Sequence, residues 1–330
     1  MQNRKYYIDV MKFIGIGCLF FAHVQGPDIA ENLRGFDVPM MVLLSGFLST
    51  SSLKKIDNPL EYILKRIKRL VIPTWIFLVI FYLCMIIIGQ KPQYTDVIKS
   101  FLFQRDCGLA GGVWIIWVYL ICAIISPLIS NIMNKNYFFS IYFCILVIYD
   151  AVVSAFPSIV EVRVIYYSIF TIIPYGIVYA LGMYLNKSRE FDRRVLVCCM
   201  LGIHIVLGIC YFLKNGVYQP IAQYKYPARI YYLSYGVAIS IILMGIFSKI
   251  ENKIPKIKIV IFVSQHSLWI YLWQIMMLTV INYVIKINNN WWLSWLVLMI
   301  GSILLTWFQN IVVNKIYNKF NFKVLRYFKA

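Results

Sequence analysis

Apolar residues gather along this chain into long runs separated by short polar stretches. Ten such runs stand near residues 8–25, 38–53, 70–89, 113–133, 137–156, 164–185, 195–213, 229–248, 259–285 and 291–314. A hydrocarbon core of roughly 30 Å takes about 20 residues of helix to cross. A segment inside lipid must also satisfy its own backbone polar groups, which a helix does. The pattern therefore predicts an all-α, polytopic integral membrane protein of ten transmembrane helices. The second run is short, and is expected to be tilted or partly re-entrant. Pro39, Pro73 and Pro174 mark helix starts or kinks, and Gly26-Pro27, Asn58-Pro59, Gly111-Gly112 and Gln219-Pro220 punctuate the links. The longest polar gap, Gly89 to Gly112, is too short for a soluble domain, so residues 1–330 are predicted to form a single transmembrane domain.

Composition agrees: 61% of positions are hydrophobic and 14% charged. A net charge of +19 would suggest a nucleic-acid partner in a soluble protein, but here the basic residues lie between the apolar runs rather than on one amphipathic face. No nucleic acid is expected, and the charge is read as orientation. Of the 32 Lys and Arg, 22 fall in segments on the side of the N-terminus: Arg4 and Lys5, Lys54 to Arg69, Lys135, Lys187 to Arg194, Lys249 to Lys258, and Lys315 to Lys329. Nine fall on the other side and Lys12 lies within the first run. That asymmetry predicts a multi-pass plasma-membrane protein, in contact with lipid, with both termini in the cytoplasm. The first run carries Asp9, Lys12 and His23 without a small-residue cleavage site, so it is expected to persist as the first helix. Seven of the eight cysteines fall within runs with no metal-ligand spacing, which predicts packing residues and no metal site.

Ionisable groups within a span are costly, at about 2.5–3.5 kcal/mol each near the centre. On a continuous helix Asp9, Lys12 and His23 share one face, with Lys12 and His23 roughly 16 Å apart along the axis. They could line one channel. The plainer alternative has Asp9 and Lys12 reaching the cytoplasmic interface and His23 at the outer helix end. Two further histidines exist. His204 sits among Leu201, Ile203, Ile205 and Val206, where a buried, hydrogen-bonded role is expected. His266 shares a face with Trp273, and either meets a substrate or caps a helix start. Lys65, Arg66, Lys68 and Arg69 form a cationic cluster before Pro73, with Arg66 and Arg69 on one face. Paired guanidinium groups suit phosphate, although such clusters also anchor chains to anionic lipid.

Further pattern lies in Val38-Pro39-Met40-Met41-Val42-Leu43-Leu44-Ser45-Gly46-Phe47-Leu48, in Arg66-Ile67-Lys68-Arg69 ahead of Pro73, in Trp114, and in Ser267-Leu268-Trp269-Ile270-Tyr271-Leu272-Trp273. With the ten-residue gap between Lys12 and His23, the chain resembles the membrane acyltransferase-3 family over about residues 4 to 315. Members of that family move acyl groups onto surface carbohydrates. The resemblance implies an acyl-CoA donor, with acetyl-CoA the expected form, and an acceptor hydroxyl on a cell-envelope glycan or lipid-linked sugar. It implies catalysis by His23 with Lys12 and Asp9, donor binding by Lys12, Arg66 and Arg69, and substrate contact by His266, Tyr271, Trp273 and Gln274. Two positions depart from the family pattern: Lys12 stands where Arg is common, and Gln274 where His is common. Attack of a hydroxyl on a thioester calls for a base of near-neutral pKa, which imidazole supplies. A transporter or polysaccharide exporter is the alternative, since polar groups in a helical bundle also mark substrate paths. A non-catalytic membrane sensor or assembly partner is a third reading, which gains some weight from Gln274.

Overall fold

The computed structural model describes residues 4–56, 58–132, 137–162, 165–287, 290–320 and 328. Lys135, Arg163, Lys323, Arg326 and Lys329 of the charge count, and Met133 and Val164 at two predicted span ends, lie outside them. Nine helical segments among the described residues are long and apolar enough to cross a membrane. Each coincides with one of the ten predicted runs, and no strand accompanies them among the described residues. The chain is a polytopic all-α membrane protein. The tenth run is helical too, as α1 (Tyr6–Phe21), but it has 16 residues, about 24 Å at the usual rise. That is short of a full crossing.

Three predicted runs differ in detail. The second is broken at Arg34–Phe36 into α2 (Asp28–Leu33) and α3 (Asp37–Leu53). The third begins well before residue 70: α4 runs from Pro59 to Ile87. Asn58 caps it, accepting the Leu60 N–H at 2.9 Å. Pro59 is preorganised for a first helical position, and the Lys and Arg that follow are good helix formers. Arg66 and Arg69 therefore lie within a helix rather than in a link. Pro73, inside α4, offers no N–H to the carbonyl of Arg69. The remaining helices are α5 (Tyr94–Phe101), α6 (Trp114–Ile132), α7 (Phe138–Ala155), α8 (Thr171–Leu185), α9 (Glu190–Asn215) and α10 (Ile230–Ile250). The ninth run is broken at His266 into α11 (Lys258–Gln265) and α12 (Ser267–Thr279), and α12 continues as a π-helical turn, Val280–Ile285. The last helix is α13 (Trp291–Phe320).

Contacts gather into two compact units, each discontinuous in sequence. One comprises the chain up to Gly26, Ile63–Leu120 and everything from Pro255; the other comprises Pro27–Tyr62 and Ile121–Ile254.

In the second unit α3 and α8 cross backbone to backbone. A Cβ on Gly46 would lie 2.1 Å from the carbonyl oxygen of Tyr179, and one on Gly182 would lie 2.0 Å from that of Leu43. Small residues allow this approach where no hydrophobic force drives helices together. The same crossing is pinned by Asn186 Nδ2, which donates to the Phe47 carbonyl at 2.6 Å. Two carboxylates of this unit, one buried and one half-buried, are paired with cations. Asp37 meets Arg34 at 2.7 Å and Lys225 at 3.9 Å, and Asp150 takes both arms of Arg229 at 2.7 and 3.0 Å. By contrast α9 buries only Leu196 and Met200, leaving most of its apolar surface for lipid.

In the first unit α13 lies antiparallel to both α1 and α12. The Trp295 indole donates to the Gly17 carbonyl at 2.9 Å, and the ring of Trp291 meets Phe21 edge-on at 5.5 Å. Trp273 Nε1 donates to Gln309 Oε1, and Met277 packs on Gly301.

Candidate active site

Every site residue predicted from the sequence falls in the first unit: Asp9, Lys12, His23, Arg66, Arg69, His266, Tyr271, Trp273 and Gln274. They separate into three groups along it.

The first group surrounds the start of α1. Asp9 is buried in its first turn, where a carboxylate also suits the helix dipole. Arg4 Nε donates to its Oδ2 at 2.6 Å and Arg4 Nη2 to its Oδ1 at 2.9 Å. Ser264 Oγ on α11 donates to Oδ1 at 2.6 Å. Beside this joint, the Tyr6 hydroxyl donates to the Pro255 carbonyl at 3.0 Å and accepts the Ile257 N–H at 2.9 Å. Asp9 raises the Arg4 guanidinium above its ordinary pKa, chiefly through the hydrogen bond. Lys12 lies one turn further on, within the electrostatic field of Asp9, Arg69, Arg4 and Arg66. Three arginines and one carboxylate thus act on Lys12. Lys12 is brought near Arg66 and Arg69, which are distant from it in sequence. Arg4 and Ser264 were missed. Arg4 had a local signal, a cation five residues before a buried carboxylate, whereas nothing in the sequence pairs Ser264 with Asp9.

The second group is His23 alone. The face shared by Asp9 and Lys12 was expected to run unbroken to His23, but the regular helix stops at Phe21. The His23 N–H reaches the Phe20 carbonyl, at 3.1 Å, a tighter turn than the α-helix, and the chain then bends at Val24. His23 is exposed, two residues past the last turn of α1. Being eleven positions from Lys12, it stands at the opposite end of the helix from the cations.

The third group lies on α11 and α12. His266 occupies the break between them. Its ring stacks on Phe262 with centroids 4.2 Å apart, and its Nδ1 donates to the Phe262 carbonyl at 2.9 Å. It makes no side-chain cap bond to α12. The Tyr271 hydroxyl donates to the Gly112 carbonyl at 2.7 Å, fixing α12 to the turn Gly108–Val113. Trp273, held by Gln309, also meets Phe77 edge-on at 5.8 Å. Gln274 is fully buried, and neither its amide nitrogen nor its oxygen has a hydrogen-bond partner among the described residues. A buried amide left so is costly, and this one stands where the family commonly has His.

His204 is outside this unit and is satisfied: Nδ1 lies 3.0 Å from the Tyr231 carbonyl and the ring stacks on Tyr231 at 4.5 Å. The hydrogen bond agrees with the role expected of it, although the residue is half-buried rather than buried. No group of three metal-ligating side chains occurs among the described residues.

The fold is thus a helical membrane bundle with a cation cluster at one end of its first helix and an exposed histidine beyond the other. Residues 5–309 match the family model described as an acyltransferase domain, and the chain belongs to this acyltransferase-3 family. Neither a curated protein nor a solved structure matches it.

Proposed function

We propose that this membrane acyltransferase moves an acyl group, acetyl as the expected form, from acyl-CoA to a sugar hydroxyl of a cell-envelope polysaccharide or lipid-linked glycan. The observation that carries the reading is the convergence of Arg66 and Arg69 on Lys12, whose charge both of them feel. Guanidinium groups gathered beside a lysine suit phosphate, and the phosphates of coenzyme A supply it. The excess of basic residues in the segments on this side supports a cytoplasmic location for this end, where acyl-CoA is made. The pantetheine arm then runs along α1 toward His23.

The proposed chemistry needs no metal. The imidazole of His23 takes the proton of the acceptor hydroxyl as its oxygen attacks the thioester carbonyl carbon. The tetrahedral intermediate collapses with cleavage of the C–S bond, and the departing thiolate of coenzyme A takes the proton back from the imidazolium. Products are the sugar ester and the free thiol. Asp9, held by Arg4 and Ser264, supports this by fixing α1 rather than by moving protons. Purified protein incubated with radiolabelled acetyl-CoA and an envelope glycan fraction should release coenzyme A and label the glycan. Glycan export without release of coenzyme A would favour a transporter instead.

A further inference from the structure

We propose that a cavity at the C-terminal end of α4, bordered by Tyr82, Tyr283 and Asp96, holds a neutral pyranose unit of the acceptor. The proposal rests on the acyl-transfer reading and names the place where its acceptor binds. The cavity measures about 380 Å³ and lies wholly within the first unit. That volume is in the range of small-molecule sites.

Its walls are assembled from segments that the loop Gly89 to Gly112 folds back against α4. α4 ends with Gly89 in the left-handed region (φ 81°), the Gln90 N–H returning to the Met85 carbonyl at 2.9 Å. α5 ends in the same motif, with the Gln104 N–H on the Lys99 carbonyl at 2.9 Å. Here Phe103 takes the left-handed position (φ 58°), a conformation rarely adopted by a side chain of its size. α5 is held to α4 by the Tyr82 hydroxyl, which donates to Ser100 Oγ at 3.0 Å and lies 3.4 Å from the Asp96 carbonyl, and by the Trp75 indole, which donates to the Phe101 carbonyl at 3.0 Å. The opposite wall, Gly108 to Ala110, belongs to the turn that Tyr271 fixes. The cavity is thus framed by hydrogen-bonded segments before any ligand arrives.

The lining chemistry selects the ligand. Gln90 and Gln93 present amides that both donate and accept, Lys91 contributes one cation, and Asp96 a carboxylate whose Oδ1 lies 3.8 Å from Lys99 Nζ. Hydroxyl groups, which donate and accept in turn, match such a set. Phosphate does not, and the contrast with the cations around Lys12 is plain. Tyr82 and Tyr283 add aromatic surface on which the C–H face of a pyranose ring can rest. Placement agrees as well. Tyr283 lies at the end of α12 from which the chain turns into α13, and Trp291 at the start of α13 packs on Phe21, two residues before His23. Cavity and histidine therefore stand at the same end of the unit, away from the donor cations.

Saturation-transfer NMR on the full chain in detergent, with N-acetylglucosamine, glucose and glycerol 1-phosphate as probes, tests the assignment. At least one of the two sugars should bind saturably. Tyr283→Leu, at a residue 43% exposed, and Asp96→Asn should each weaken that binding at least tenfold. Calorimetric acetyl-CoA affinity and a monodisperse elution profile on the same samples report folding and the donor end separately. Sugar binding unaltered in both variants, or no sugar binding by wild type, overturns the cavity assignment. So does glycerol 1-phosphate binding that exceeds the sugars' and falls in the variants, which marks the site as one for an anionic lipid headgroup. Failure of wild type to bind acetyl-CoA counts against the acyl-transfer reading, independently of the sugar result.

Discussion

Ser264 donates a 2.6 Å hydrogen bond to the Asp9 carboxylate across 255 positions of sequence, and so joins α11 to α1 beside Lys12. With Arg4 on the same carboxylate, the charge of Asp9 is spent on structure. Asp9→Asn should lower stability by about 1–3 kcal/mol, as expected for hydrogen bonds to a charged group. The half-exposed Arg4 side chain places the loss toward the lower figure. Thermal unfolding in detergent measures it. Acetyl-CoA affinity should hold or rise, because a negative charge leaves the cation cluster. A transfer rate lowered 10²–10⁴-fold at unchanged stability would give Asp9 a direct catalytic role instead.

Gly46 and Gly182 make the converse prediction, a loss of packing with no charge involved. A Cβ at Gly46 meets the Tyr179 carbonyl, which belongs to helix backbone and cannot rotate away. Gly46→Ala should cost about 1–3 kcal/mol or more, and Gly46→Leu should fail to give monodisperse protein. Gly202 is the control. It lies inside α9 with nothing within 4 Å of its added Cβ, so Gly202→Ala should be neutral or slightly stabilising. Equal behaviour of the two alanine variants in thermal unfolding would remove the crossing from the account of this fold.

The same two sites show what could be read in the sequence. Apolar run length located all ten helical regions, because the bilayer imposes it on any spanning segment. It could not show that α4 starts at Pro59, since charged helix formers carry no hydropathy signal, nor that His266 interrupts the ninth run. The Ser45-Gly46-Phe47-Leu48 pattern was visible as a family mark, but its physical reason, the close approach of α8, needs the partner helix. Likewise Lys12, Arg66 and Arg69 could be named one by one, and their convergence was implied by resemblance alone. Pairings such as Asp9 with Ser264 leave no periodic trace. Neither does the unpartnered amide of Gln274, which sequence marked only as a departure from the common His.

The cation cluster carries a prediction about the donor. Arg66→Ala and Arg69→Ala together should leave α4 and membrane insertion intact, since alanine favours helix at both positions. Each charge-assisted hydrogen bond is worth roughly 1.5–3 kcal/mol, so acetyl-CoA should bind about two orders of magnitude more weakly or worse. Wild-type affinity should also fall as salt rises. Calorimetry on the purified double variant decides it: unchanged affinity assigns these arginines to anionic lipid.

The last prediction concerns His23, at the other end of α1. The residue stands just beyond the helix, exposed, and at the end of the unit that also holds the polar cavity beside Tyr283. Imidazole is the side chain best suited to take a proton from a hydroxyl near neutral pH, and neither other histidine is as well placed. His204 is stacked and bonded in the second unit, and His266 commits one ring nitrogen to the Phe262 carbonyl. Replacing His23 with Gln keeps much of the volume and some hydrogen bonding while removing the base. Because the position is exposed and outside regular helix, the change should cost little stability. His23→Gln protein should therefore elute and melt like wild type and bind acetyl-CoA normally. Its transfer rate should fall by about 10²–10⁴ if His23 is a general base, and further if it carries the acyl group covalently. Trapping labelled acyl-protein from acetyl-CoA without acceptor separates those two roles. Transfer within a few-fold of wild type would remove His23 from the chemistry and leave the free ring nitrogen of His266 as the next base to test.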